Sequence, residues 1–309
     1  MKKAITILLG FLASLLLAAG QENPVQLKPD KTVYLYPEGQ ASGSAGEDNG
    51  LRGPETEKPG GKIANIGDGA RMEFYFPEKP CGLMVIICAG GSYSSVSALN
   101  EGACAAEWLK GQGVASCVLL YRLPAGHKTV PLTDVHNAMR YCRSHAAEWG
   151  VGKLGVMGFS AGGHLAASAA TLYTDRATRP DFSVLIYPVI NMMDDAVCHA
   201  GSRRNLLGEN PSAEDCERYT LHRRVNPDTP PTFIALSAND GIVSVKNSLD
   251  YFAALCESDV DAHMHIYPSG GHGWGFGHPP YTEKDKLGRY RKLFFAEFSR
   301  FLKDMSAKQ

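Results

Sequence analysis

The chain lacks a sizeable net charge, a glycine motif placed to cradle phosphate, an internal repeat and a defensible metal-ligand spacing, and each absence removes a class of function. Lys and Arg total 31 against 32 Asp and Glu in 309 residues. That balance leaves no summed field to attract nucleic acid or an anionic membrane surface, so a neutral or small substrate is expected. No Walker loop occurs, and the G-x-G-x-x-G at Gly150 to Gly155 leads into the predicted strand at 154–159, where a dinucleotide cradle would follow a strand and open a helix. Asp194, Asp195 and His199 come nearest to a metal cluster, but their spacing matches no ligand pattern. Neither a metal nor an organic cofactor is expected. No low-complexity tract is present, and the even spread of apolar residues suits one core and one domain.

Cysteine is not scarce, at eight residues, yet a chain this long does not need a disulfide framework to hold its core. Cys88 and Cys117 fall inside apolar runs, and Cys142 and Cys256 on the apolar faces of predicted helices, so all four read as small buried hydrophobes. Cys198 and Cys216 flank a polar loop and are the best disulfide candidates. The first cysteine is Cys81, so the N-terminal segment offers no site for lipid attachment. That segment carries Lys2-Lys3, an apolar run from Ala4 to Ala19 and the small residues Ala18-Ala19-Gly20. It reads as a secretory signal peptide over 1–20. The run is shorter than the ~20 apolar residues of a spanning helix. No stable membrane insertion is expected after cleavage, and the exported protein is placed in the periplasm or outside the cell.

Residues 21–69 are rich in Gly, Pro and charge, with one strand-like stretch at 32–36. They read as an N-terminal arm, partly loose around Gly39 to Gly61. Over 70–309 the texture changes to short apolar runs alternating with helical patterns, which is how βαβ units around a parallel sheet read. Strands are predicted at 71–76, 84–89, 115–121, 154–159, 183–187, 232–237 and 263–267. Val135, Ala138, Met139, Cys142, Ala146 and Trp149 recur at helical spacing, as do Val245, Leu249, Phe252, Ala253 and Cys256. A last helix over 284–304 is expected to bury Tyr290, Phe294, Phe298, Phe301 and Leu302. Residues 190–230 break this rhythm with polar, Pro- and Arg-containing sequence, either as a cap over the site or as a long surface connection.

Three short motifs carry the chemistry. Gly158-Phe159-Ser160-Ala161-Gly162 lies between an apolar run of strand length and a helical pattern. A serine held on such a strand-to-helix turn stands clear of the sheet, and it becomes a nucleophile when a base takes its proton. His272, in the glycine-rich loop Ser269 to Gly277, is the candidate base, with His278 its main competitor. Asp240, directly after the strand at 232–237, is the candidate that orients the imidazole and stabilises its charged form. An oxyanion would be held by the backbone N–H groups of Ala161, after the nucleophile, and of Gly91 and Ser92, in the glycine loop leaving the strand at 84–89. His164, on the elbow helix, reads as a satisfied interior histidine.

The order serine, acid, histidine is the one that α/β-hydrolases use. The runs Met84 to Tyr93, Gly158 to Leu165 and Ala238 to Leu249, the Gly270-Gly271-His272-Gly273 loop and the stretch Gly201 to Pro211 resemble the bacterial acetylxylan and feruloyl esterase-like family of that superfamily. In that family the glycine loop reads Pro-Gly-Gly-Gly-Tyr, where this chain has Ala89 and Ser92 at the first and fourth positions. The resemblance implies a mostly parallel central sheet with helices on both faces. It also implies a serine esterase that works through an acyl-enzyme and removes acetyl, sometimes hydroxycinnamoyl, groups from plant cell-wall polysaccharides. The partner would then be an acylated carbohydrate or other small ester, with acetylated xylan or its oligosaccharides foremost. Alternatives are a feruloyl esterase or general short-chain carboxylesterase, a peptidase of the prolyl-oligopeptidase type, and an inactive hydrolase scaffold that binds carbohydrate.

Overall fold

Strands buried on both faces read as unbroken apolar runs, and those of this chain build the middle of an eight-stranded sheet. A computed structural model describes residues 27–36, 54–67, 69–277 and 284–307. The predicted signal segment, much of the arm and His278 lie outside the described residues. In chain order the strands are β1 (Lys31–Tyr34), β2 (Thr56–Lys58), β3 (Lys62–Ala64), β4 (Arg71–Tyr75), β5 (Leu83–Cys88), β6 (Ala115–Leu120), β7 (Lys153–Phe159), β8 (Phe182–Ile186), β9 (Thr232–Ser237) and β10 (Ala262–Tyr267). The main sheet runs β1-β4-β6-β5-β7-β8-β9-β10. It is parallel from β6 to β10, with β1 and β4 antiparallel at one edge. The seven strands predicted from residue 71 onward are all present, each bound within one residue.

The α-helices are α1 (Cys104–Gly111), α2 (Val130–Ser144), α3 (Ser160–Thr171), α4 (Ala200–Leu207), α5 (Ala213–Arg218), α6 (Lys246–Glu257) and α7 (Arg291–Ala307). Alternation along β7 shows how the sheet is covered on both faces. A Cβ on Gly158 would stand 2.7 Å from the Ala166 Cβ of α3. The next side chain, Phe159, points the other way, edge-on to Phe276 at 6.0 Å. Phe276 belongs to an aromatic cluster with Trp108 of α1 and Phe294 and Phe298 of α7. Helices α1 and α7 therefore cover one face, and α3, with α2 packed on it, the other. This is the α/β-hydrolase arrangement that the resemblance implied.

Several details differ from expectation, each for a physical reason. The stretch read as loose up to Gly61 contains the hairpin β2–β3, turning at Gly60 and Gly61 with φ of 78° and 66°. Two backbone hydrogen bonds between Ile63 and Val96, at 2.8 and 2.7 Å, fasten it to the body. The arm over 21–69 also supplies edge strand β1. Its Tyr36 reaches Asp134, which is fully buried in an ion pair with Arg122 at 2.7 Å. Helix α6 is rotated from its predicted stripe and buries Asn247, Ser248, Tyr251 and Leu255, leaving Leu249 and Cys256 exposed. Asn247 turns inward because its Oδ1 accepts from the N–H groups of Ile190 and Asn191. Helix α2 ends at Ser144, so Ala146 and Trp149 continue in turns, where Trp149 packs on Phe74 at 5.3 Å. The last helix begins at Arg291, with a 3-10 turn before it. Cys198 and Cys216 are unbonded, half-buried thiols.

Candidate active site

Strand β7 passes into α3 without a loop. Phe159 is extended, and Ser160 turns the chain with φ of 52°, a left-handed conformation that costs a non-glycine residue ~1–3 kcal/mol. Glycines admit the turn where larger residues would collide. A Cβ on Gly162 would lie 2.0 Å from the Cys88 carbonyl oxygen, and one on Gly158 would lie 2.1 Å from that of Gly162. The result sets the Ser160 hydroxyl above the carboxyl edge of the sheet, where open α/β sheets bind ligands.

The two other candidates reach it from the loops after β9 and β10. His272 Nε2 lies 2.9 Å from Ser160 Oγ, and His272 Nδ1 lies 2.6 Å from Asp240 Oδ2. The Asp240 side chain is 1% exposed. Its other oxygen accepts from the N–H groups of Ile242 and Val243 at 2.9 and 3.0 Å. Burial raises the Asp240 carboxyl, but the His272 imidazole and those two N–H groups outweigh it and hold the group below the ordinary carboxylate value. A carboxylate on Nδ1 fixes that nitrogen as the proton carrier, so Nε2 is free to accept from the serine hydroxyl. The loops are also tied to each other, since Gly271 N–H donates to Asn239 Oδ1 at 2.9 Å. His164, as expected, is a satisfied interior residue: it sits between Tyr93 and the Tyr219 carbonyl and is fully buried. The Asp194, Asp195 and His199 trio disperses, with Asp195 paired to Arg203 and His199 capping α4.

The glycine loop after β5 passes beside Ser160. A Cβ on Gly90 would stand 3.0 Å from the Ser160 Cβ. Gly91, with φ of 136°, is required because a Cβ there would meet the Ser95 carbonyl oxygen at 2.1 Å; Ser92 follows with φ of 57°. The N–H groups of Gly91, Ser92 and Ala161 donate to no group among the described residues. They are therefore available to a developing oxyanion, with the N-terminus of α3 adding its positive dipole end. Residues 190–230 brace this loop from behind, as Asn205 of α4 donates to the Ser92 carbonyl at 2.7 Å.

Sequence reasoning missed Glu101. It lies on a π-helical turn (Ala98–Ala103), is 5% exposed, and faces the same cleft as Ser160. Its Oε2 accepts from Gly90 N–H at 2.7 Å, and its Oε1 from the Tyr187 hydroxyl at 2.9 Å. The Tyr187 oxygen in turn accepts from Gly275 N–H at 2.9 Å, and its ring lies 4.8 Å from that of His272. Burial raises the Glu101 carboxyl above its ordinary value, in spite of the Tyr187 and Gly90 bonds that favour its charged form. No local motif announces such a residue, because its two partners, Gly90 and Tyr187, come from separate segments.

The cleft above these groups measures about 420 Å³. Its walls come from the β2–β3 hairpin, the Ser92 loop, the π-helical turn and the His272 loop. Residues 190–230 contribute no described residue to these walls.

Comparison with known proteins gives the family. Residues 72–255 match the family model BD-FAE. An acetylxylan esterase of Xylanibacter ruminicola is 38% identical over 214 residues, 67% of this chain and 44% of its own length. Endo-1,4-beta-xylanase B of Butyrivibrio fibrisolvens is 34% identical over 206 residues, 61% of this chain and 32% of its own. The chain thus spans less than half the length of these curated relatives. The crystal structure of an acetyl ester-xyloside bifunctional hydrolase from Caldicellulosiruptor lactoaceticus superposes with a TM-score of 0.72 at 28% identity, over 90% of this chain and 97% of that one. A carboxylesterase from Lactobacillus plantarum, 21% identical with a TM-score of 0.64 over 82% of this chain and 98% of its own, shares the α/β-hydrolase fold. With the family model matched over more than half of its length, the chain belongs to the BD-FAE family of α/β-hydrolases.

Proposed function

We propose that the protein is an exported serine esterase that removes acetyl groups from xylan or xylo-oligosaccharides. The observation that carries this reading is the relay of Asp240, His272 and Ser160, at 2.6 and 2.9 Å. Ser160 Oγ attacks the ester carbonyl carbon while His272 Nε2 takes its proton, and Asp240 stabilises the imidazolium that forms. The carbonyl oxygen becomes an oxyanion facing the N–H groups of Gly91, Ser92 and Ala161, each donor worth ~2.7–4 kcal/mol to such a transition state. Collapse returns the proton from His272 to the leaving sugar oxygen and leaves an acetyl group on Ser160. Water, deprotonated by the same imidazole, then releases acetate.

The cleft favours a small acyl group on a polyhydroxylated partner. Among its described wall residues the aromatic one is Trp274, and that side chain is 1% exposed. The described walls thus offer no open aromatic face for a hydroxycinnamoyl ring to stack on. The acetylxylan esterase relative and the acetyl ester-xyloside hydrolase neighbour support the same choice. Export rests on the apolar run after Lys2-Lys3, and sequencing the N-terminus of protein recovered outside the cytoplasm tests it.

The experiment for the substrate is acetate release from acetylated xylan measured beside ferulate release from feruloylated arabinoxylan. Acetate release well above ferulate release is expected. Ferulate release alone would overturn the acetyl assignment.

A further inference from the structure

Charge on the cleft's walls is not accounted for by the ester chemistry. Lys62, on the hairpin, and Lys286, on the segment after the His272 loop, are both exposed and both line the cleft with Ser160. Backbone anchors hold each in place. Ile63, next to Lys62, makes its two bonds to Val96, and Leu99 N–H donates to the Gly61 carbonyl at 3.1 Å. On the other side, the Lys286 ammonium donates to the His272 carbonyl at 3.4 Å, which leaves its remaining protons to the cleft. The carboxyl in the described walls, Glu101, is buried and already accepts from Gly90 and Tyr187; the charge of Lys62 acts on it, but no hydrogen bond or ion pair between them is formed. Asp285, beside Lys286, is held by Arg291 at 2.8 Å. A chain with a net charge of −1 therefore presents cationic groups from two separate segments in the cleft that holds Ser160.

We propose that Lys62 and Lys286 form a subsite for a carboxylate carried by the acylated sugar chain, a uronic acid side group neighbouring the scissile ester. This deepens the esterase reading and rests on it. A neutral acetylated sugar gives two ammonium groups nothing to pair with, whereas a carboxylate held between them would fix the chain's register over Ser160. The hairpin, in this arrangement, is the specificity element that the N-terminal arm contributes. Solvent-facing ion pairs are individually weak and are screened by salt, so the subsite acts on the choice among substrates.

The test uses two acetylated xylo-oligosaccharides that differ in one respect: the side group carries a free carboxylate or its methyl ester. The wild-type enzyme is expected to favour the charged substrate in kcat/KM by about three- to tenfold at low ionic strength, the sum of two exposed pairs. That ratio should approach one in ~0.5 M salt, where screening is nearly complete within a few ångströms. In the double variant Lys62→Glu, Lys286→Glu the ratio should fall below one. Equal kcat/KM for both substrates in the wild type, or a preference that survives high salt, overturns the subsite while leaving the esterase reading intact. A preference unchanged in the folded double variant also overturns it. Failure of the wild type to release acetate from either substrate would strike the esterase reading itself.

Discussion

The Tyr187 hydroxyl donates to Glu101 Oε1 at 2.9 Å, and through this bond the loop at 90–92 and the His272 loop share one support. Its direction follows from the neighbours. Gly275 N–H can only donate, so the Tyr187 oxygen accepts it and sends its own proton to Glu101, whose other oxygen takes Gly90 N–H. Exchanging the carboxyl for an amide in Glu101→Gln places an NH2 against one of two donors and breaks one end of the bridge. We expect kcat to fall by ~10–100-fold, the scale of a sub-ångström to 1 Å misplacement of reacting groups, while KM changes little and the fold is retained. Steady-state kinetics with circular dichroism check this. Wild-type kcat in a folded Glu101→Gln protein would contradict it.

Asp240 sets the tautomer of His272. With Asp240→Asn the amide can donate to Nδ1, which moves the imidazole proton to Nε2 and leaves no lone pair for the serine hydroxyl. A loss of about 10⁴-fold in kcat is expected, with unfolding midpoints near those of the wild type. Activity within tenfold of wild type would show that Asp240 does not orient the base.

The elbow depends on missing β-carbons. Gly162→Ala would drive a methyl group to 2.0 Å from the Cys88 carbonyl oxygen and 2.5 Å from that of Ala89, and these are backbone atoms that cannot swing aside. We expect about 3 kcal/mol or more of destabilisation, read from urea unfolding, together with loss of activity. A variant with the wild-type midpoint would mean that β5 and α3 are less tightly apposed than described.

Acid should loosen the fold through its interior histidines. Burial lowers His164 to about 4, in spite of the Tyr219 carbonyl bond, and lowers His136 likewise to about 4. The unfolded value is ~6.5, so unfolding takes up protons between these limits. The stabilising contribution is whole above pH about 6.5 and is lost as pH falls toward 4, on the order of 3 kcal/mol for fully buried His164. His164→Gln should flatten this part of the stability profile, measured by urea unfolding at pH 4.5, 5.5 and 7. An unchanged slope would contradict the assignment.

Parts of the molecule that speak through local pattern were legible before folding was considered. Strands β5 to β9 lie buried on both faces, so their apolar runs coincide with their hydrogen-bonded lengths, and Ser160, Asp240 and His272 each sit where a strand ends. The hairpin β2–β3 was not legible. Its strands are three residues long, largely exposed and polar, and distant backbone bonds, of Ile63 with Val96 and of Leu99 with Gly61, make it part of the body. Helix α6 misled for a related reason: Asn247 is buried by backbone donors 56 and 57 positions away, which no hydrophobic periodicity records. Glu101 combines both difficulties, a polar side chain inside an irregular turn whose partner Tyr187 is 86 positions distant.

The central claim is that Ser160 becomes the acyl carrier. Treatment with a fluorophosphonate followed by peptide mapping tests it most directly, because that reagent bonds a serine only where a relay activates it. The account predicts one adduct, on Ser160, formed in step with loss of acetate release and absent from Ser160→Ala. An adduct elsewhere, or acetate release retained by folded Ser160→Ala, would contradict it.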